Sequence, residues 1–137
     1  MKKVGHEASK LIKDNDIIIL DSSFTILKIT NAKIYFHCCG SIDWVIPDLI
    51  DCGVGILNPI QVNAENMDSK KLKDVFGEKV SFWGGRCDPR ILLQGNVAQV
   101  KEEAKRRIMD FAPNGGFMFA SIHNIQANTP PENIVAM

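Results

Sequence analysis

Short apolar runs that alternate with single amphipathic helices predict an α/β fold with a parallel sheet. Two further observations support it. Glycine and proline fall at the junctions between runs and helices, and strands separated by whole helices cannot pair through tight antiparallel turns. Such units close with right-handed crossovers, and the pattern by itself fits either an open doubly wound sheet or part of an eight-stranded barrel.

Taken in order, Ala8, Leu11 and Ile12 suggest a helix and Asp16 to Leu20 a first buried strand, while Ser22 to Thr30 carries no firm signal. Ala32 to Phe36 (AKIYF) reads as a buried strand closed by HCCG. Ser41 is placed to cap the next stretch, where Ile42, Val45, Ile46, Leu49 and Ile50 recur at helical spacing before Gly53. Pro47 should divide that stretch into a short turn and a second helix that starts at the proline. Val54 to Leu57 is the next strand, ending at Asn58-Pro59. Asp68 caps a helix carrying Leu72, Val75 and Phe76, and Gly77 ends it. Val80 to Trp83 is a strand closed by Gly84-Gly85. Asn96 with Gln99 resembles a capping box, and Val97, Val100, Ala104, Ile108 and Phe111 then share one helical face. Pro113 stops that helix, Gly115-Gly116 turn the chain into a strand at Phe117 to Ala120, and Pro130-Pro131 start a last helix. Residues 31–137 form one unit, with residues 1–30 as a leader.

A length of 137 residues suits one domain, and 45% hydrophobic with 23% charged residues can bury a core. Sixteen basic and sixteen acidic side chains cancel without a basic run, which argues against nucleic acid as a partner. The longest aliphatic stretch, Ile17 to Leu20, is far short of the ~20 residues of a membrane helix. The opening MKKVGHEASKLIKDN has no apolar core or cleavage site, so a cytoplasmic location is expected. Cys38, Cys39, Cys52 and Cys87 are expected as reduced thiols, and a disulfide between the adjacent Cys38 and Cys39 would be strained.

Functional side chains of parallel α/β folds collect beyond the carboxyl ends of the strands. Those positions hold His37, Cys38 and Cys39; then Asn58 and Gln61; then Arg86, Cys87 and Asp88; and finally Ser121, His123, Asn124 and Gln126. In a strand, residues i and i+2 share a face, so His37 and Cys39 can point the same way. Imidazole and thiolate are zinc ligands, and a catalytic site keeps three protein ligands, which His123 or Cys87 could complete. The bland alternative keeps Cys38 and Cys39 as small buried hydrophobes and His37 as a hydrogen-bonded strand end. Cys52 reads as packing, His6 as a solvated histidine, and Trp83, Phe117 and Phe119 as core. Arg86 and Asp88 could bind an acidic substrate or pair with each other.

The run KIYFHCCGSIDWVIPDLIDCGVGILNPIQVNAENMDSKKLKDVFGEKVSFWGG, then CDPRILLQG and APNGGFMFASIHNIQANTPPENIVAM, resembles the carboxyl-terminal part of the uroporphyrinogen decarboxylase superfamily. Within it the likeness is above all to decarboxylase-like proteins and corrinoid-linked methyltransferases. The resemblance covers residues 31–137 and rests on the NPxQ, FWGG and HNIQxxxPPENIVAM segments. It implies a partial (β/α)₈ TIM barrel, made of the last four βα units with an amino-terminal helix and strand. A whole barrel takes ~250 residues, so the resemblance implies an internally shortened member with a gap between about Leu27 and Asn31.

The family's methyltransferases hold zinc with a His-x-Cys pair and a later cysteine, and the zinc keeps a thiol deprotonated for attack on a corrinoid methyl group. His37 and Cys39 match the pair, His123 stands at the later cysteine's position, and Cys87 is a possible substitute ligand. In the decarboxylases a histidine near the last strand acts on a tetrapyrrole, and His123 matches it as a catalytic residue. The resemblance thus implies three alternatives: zinc-dependent methyl transfer with a corrinoid protein as partner, porphyrin-type decarboxylation, or a shortened, non-catalytic protein. A half barrel exposes apolar strand faces, so a homodimer is expected.

Overall fold

The structure, a computed structural model, describes residues 17–21 and 33–137. The expected helix around Ala8, Leu11 and Ile12, the reading of His6, and the gap placed between about Leu27 and Asn31 lie outside those residues.

Among the described residues, five strands form one parallel sheet in sequence order: β1 (Ile17–Asp21), β2 (Lys33–His37), β3 (Val54–Asn58), β4 (Ser81–Trp83) and β5 (Phe117–Met118). The four strands expected from residue 31 onward are neighbours as predicted, and β1 extends the sheet before them. The last strand is shorter than its apolar run because β4 ends at Trp83, the register partner of Met118. The two chain segments still travel together, since the Gly84 and Arg86 amides donate to the Met118 and Ala120 carbonyls at 3.1 and 3.2 Å.

Side-chain alternation separates the faces of the sheet. Ile34, Phe36, Val54, Leu57 and Phe82 enter the core, where they meet Ile46 and Leu49 of α1 (Ile46–Asp51), Leu72 of α2 (Ser69–Phe76) and Phe111 of α4 (Val97–Phe111). Val54 and Leu57 lie three apart yet share that face. The β2–β3 register slips between Ile34 and Tyr35, and the extra residue on β3 is Gly55. The opposite face carries Tyr35, His37, Ile56 and Trp83, all outside the core cluster.

Pro47 acts as expected: a 3₁₀ turn at Asp43–Val45 precedes α1, with the proline in its first turn. Ser41 does not cap it. Its hydroxyl donates to the Glu65 carbonyl at 2.5 Å, and neither helical piece has a side-chain cap. Asp68 caps α2 by accepting from the Lys71 amide, but Val75 is 57% exposed and turns away from the core that holds Leu72. Between β4 and β5 there are two helices, because Asp88-Pro89 starts α3 (Pro89–Gln94) before α4. The α4 capping box between Asn96 and Gln99 is complete. Its inward stripe differs from the apolar one read from spacing: Val97 and Ile108 are partly exposed, and Glu103 and Arg107 are buried. Helix α4 is covered by α2 on one side and by α3 and α5 (Pro131–Ala136) on the other, which widens the stripe beyond its apolar residues. Asn133 ties α5 to α3 by donating to the Leu92 and Gly95 carbonyls at 3.0 and 2.7 Å. No helix among the described residues is long and apolar enough to cross a membrane.

Candidate functional site

The carboxyl end of β2 is held by β3 and by the loop after β3. The Cys38 amide donates to the Asn58 carbonyl at 2.8 Å, continuing the β2–β3 ladder by one bond. Gly40 then turns the chain at φ 99°, a left-handed conformation natural for glycine, and its amide donates to Gln61 Oε1 at 2.7 Å. His37 Nδ1 lies 2.7 Å from Asn58 Oδ1, and Asn58 Nδ2 donates to the Trp83 carbonyl at 3.2 Å. Three strand ends are thus joined through one asparagine.

The other ring nitrogen of His37, Nε2, faces Cys39 Sγ at 3.9 Å, and Cys39 is exposed. Beneath them, Tyr35 and Trp83 meet edge to face with ring centres 5.1 Å apart. Burial pushes the Tyr35 hydroxyl above its ordinary pKa. Trp83 belongs to this half-buried face rather than to the core expected for it. A tetrahedral zinc bound at ordinary Zn–N and Zn–S lengths sets its two donor atoms ~3.6 Å apart, so the imidazole and thiol fit as two ligands after a small rotation.

The other two candidate ligands lie elsewhere. Cys87 is 3% exposed and packs with Leu92 and Val100. Burial, followed by the negative charges of Glu103 and Asp88, pushes its thiol up to about 11, against the smaller opposing effect of Arg107 and Arg86. A neutral thiol results, donating to the Asp88 carbonyl at 3.5 Å. His123 is exposed and lines a cavity of about 150 Å³ together with Cys87, Ser121, Gln126 and Met137. Among the described residues, no three His, Cys, Asp or Glu side chains are gathered closely enough to hold a metal. The structure therefore brings His37 to Cys39, and Cys87 to the same cavity as His123, as two separate pairs.

Arg86 and Asp88 do not pair with each other. Asp88 accepts from the Arg90 amide at the start of α3 and binds its guanidinium, with Nη2 to Oδ2 at 2.6 Å. Burial opposes ionisation of Asp88, but the Arg90 hydrogen bonds and the charges of Arg90 and Arg107 outweigh it and hold the carboxyl below its ordinary value. Arg86 instead lies over the Phe119 ring, 4.9 Å from its centre. None of the four cysteines is in a disulfide, and Cys52 is half-buried at the end of α1. Asn58 and Gln61 are visible in the sequence as strand-end residues, but not as the groups that hold His37 and Gly40. The available signal is Pro59, which has no N–H to offer a neighbouring strand.

The family model for uroporphyrinogen decarboxylase (URO-D) matches residues 18–137. The methylcobamide:CoM methyltransferase MtaA of Methanosarcina barkeri is 31% identical over 108 residues, which is 78% of this chain and 30% of that protein. The MtaA of Methanosarcina barkeri strain Fusaro is 29% identical over the same length. The chain spans about 30% of the length of these curated relatives. A solved methyltransferase structure from Methanosarcina mazei superposes with a TM-score of 0.62 at 25% identity, covering 88% of this chain and 40% of that one. Parallel strands in sequence order with helices on one face agree with part of a (β/α)₈ barrel. With a family match that takes in every strand but the first residue of β1, the chain belongs to the uroporphyrinogen decarboxylase family.

Proposed function

We propose that this chain serves methyl transfer from a corrinoid to a thiol, and that its part is to hold the metal that activates the thiol. The observation that carries this is the approach of His37 Nε2 and Cys39 Sγ to 3.9 Å at a strand's carboxyl end, in a chain similar to two methylcobamide:CoM methyltransferases. Bound zinc would keep the substrate thiol deprotonated and so nucleophilic. His37 and Cys39 supply two ligands. A third ligand would have to move to this pair, because His123 and Cys87 line a separate cavity and Cys87 is held neutral by burial. The Tyr35–Trp83 ring pair lies on the same face of the sheet as His37. The methyl donor is a corrinoid, presented by a corrinoid protein.

Metal titration of the purified protein tests this. About one zinc per site is expected, with affinity weakened at least ~10-fold by Cys39→Ser and by His37→Ala. Cobalt(II) in place of zinc should give a thiolate charge-transfer band that Cys39→Ser removes. Equal zinc binding by the intact protein and both variants would sink the proposal.

A further inference from the structure

We infer that Asn58 is a positioning residue that fixes the tautomer of His37, placing the ring proton on Nδ1 and leaving the Nε2 lone pair facing Cys39. The Trp83 carbonyl can only accept. The Asn58 atom 3.2 Å from it must therefore be the donor Nδ2, because turning the amide over would set oxygen against oxygen. That leaves Asn58 Oδ1 facing His37 Nδ1 at 2.7 Å. An amide oxygen can only accept, so Nδ1 must donate. A neutral imidazole carries one N–H, so its Nε2 is bare.

The surroundings hold this arrangement. Asn58 is 9% exposed, so water cannot readily take over a lost partner. Its carbonyl accepts from the Cys38 amide at 2.8 Å, which anchors the asparagine backbone to the loop that carries Cys39. The Trp83 carbonyl turns to a side chain because residue 59 is proline and has no N–H with which to extend the β3–β4 ladder. The ladder's end thus sets the asparagine, and the asparagine sets the histidine. The use of the bare Nε2 as a metal donor rests on the function proposed above; the tautomer does not.

Long-range ¹H–¹⁵N correlation on the metal-free protein, at pH about 8 where histidine is ordinarily neutral, reads the tautomer directly. His37 should carry its proton on Nδ1, with signals assigned through His6→Gln and His123→Gln. Asn58→Leu should lose that preference and bind zinc ~10- to 100-fold more weakly. Asn58→Asp keeps an acceptor toward Nδ1 while losing the donor to the Trp83 carbonyl, and where folded it should still hold the proton on Nδ1. A wild-type ring protonated on Nε2 would overturn the inference without any variant having to fold, and an unchanged tautomer in folded Asn58→Leu would overturn Asn58 as its cause. An Nδ1–H ring in a protein that binds no zinc would uphold the inference while removing the metal reading.

Discussion

Cys39 and Cys87 stand in opposite surroundings, and their chemistry should differ accordingly. Cys39 is exposed beside a histidine nitrogen, whereas the Cys87 thiol is pushed from an ordinary 9.0 up to about 11. At pH 8 that shift leaves Cys87 with about a hundredfold less thiolate than an ordinary cysteine, before limited access is counted. Iodoacetamide should therefore modify Cys39 well before Cys87 in the native protein, with mass spectrometry reading the order; early Cys87 labelling would contradict its burial. The same shift makes a stability prediction. The unfolded thiol loses its proton first, so the contribution is present below pH 9 and is lost as pH rises toward about 11. Over that range, Cys87→Ala should show a smaller fall in unfolding temperature than wild type.

Helix α4 joins local and distant interactions. Asn96→Ala should cost about 1 kcal/mol by removing one half of the capping box. Glu103 matters more. Arg107 Nε donates to Glu103 Oε1 at 2.8 Å and Nη1 to Ser69 Oγ at 2.6 Å, with both ends of the ion pair buried. Glu103→Ala strands a buried guanidinium and should cost ~3–5 kcal/mol in urea unfolding, whereas Asp74→Ala, which removes only the exposed partner of Lys70, should cost ~0–1. The capping box is legible in the sequence because both partners lie within one turn. The buried pair is not, since charges four apart on a helix ordinarily read as a solvated face, and only α2 and the α3 junction bury these. The site divides in the same way. His37 and Cys39 are legible because strand alternation puts i and i+2 on one face, but the role of Asn58 depends on a Trp83 carbonyl one strand away.

The sheet as a whole has one face covered by α1, α2 and α4 and another that carries Tyr35, Ile56, Trp83 and Met118. Parallel strands are ordinarily covered on both faces, and Met118 is 48% exposed here. We propose that a second copy covers this face through a two-fold contact, in which each apolar patch meets its own counterpart. The chain's sixteen acidic and sixteen basic side chains leave no net charge to oppose such pairing. Sedimentation across a wide range of protein concentration should show a dimer. Met118→Lys should shift it to monomer because the lysine would have to be buried against its symmetry mate, while Trp44→Lys, on the 3₁₀ turn outside this face, should leave the dimer intact. A wild-type monomer at every concentration, with no binding of a dye that reports exposed apolar surface, would refute the dimer; a dimer insensitive to Met118→Lys would place its interface elsewhere on the molecule.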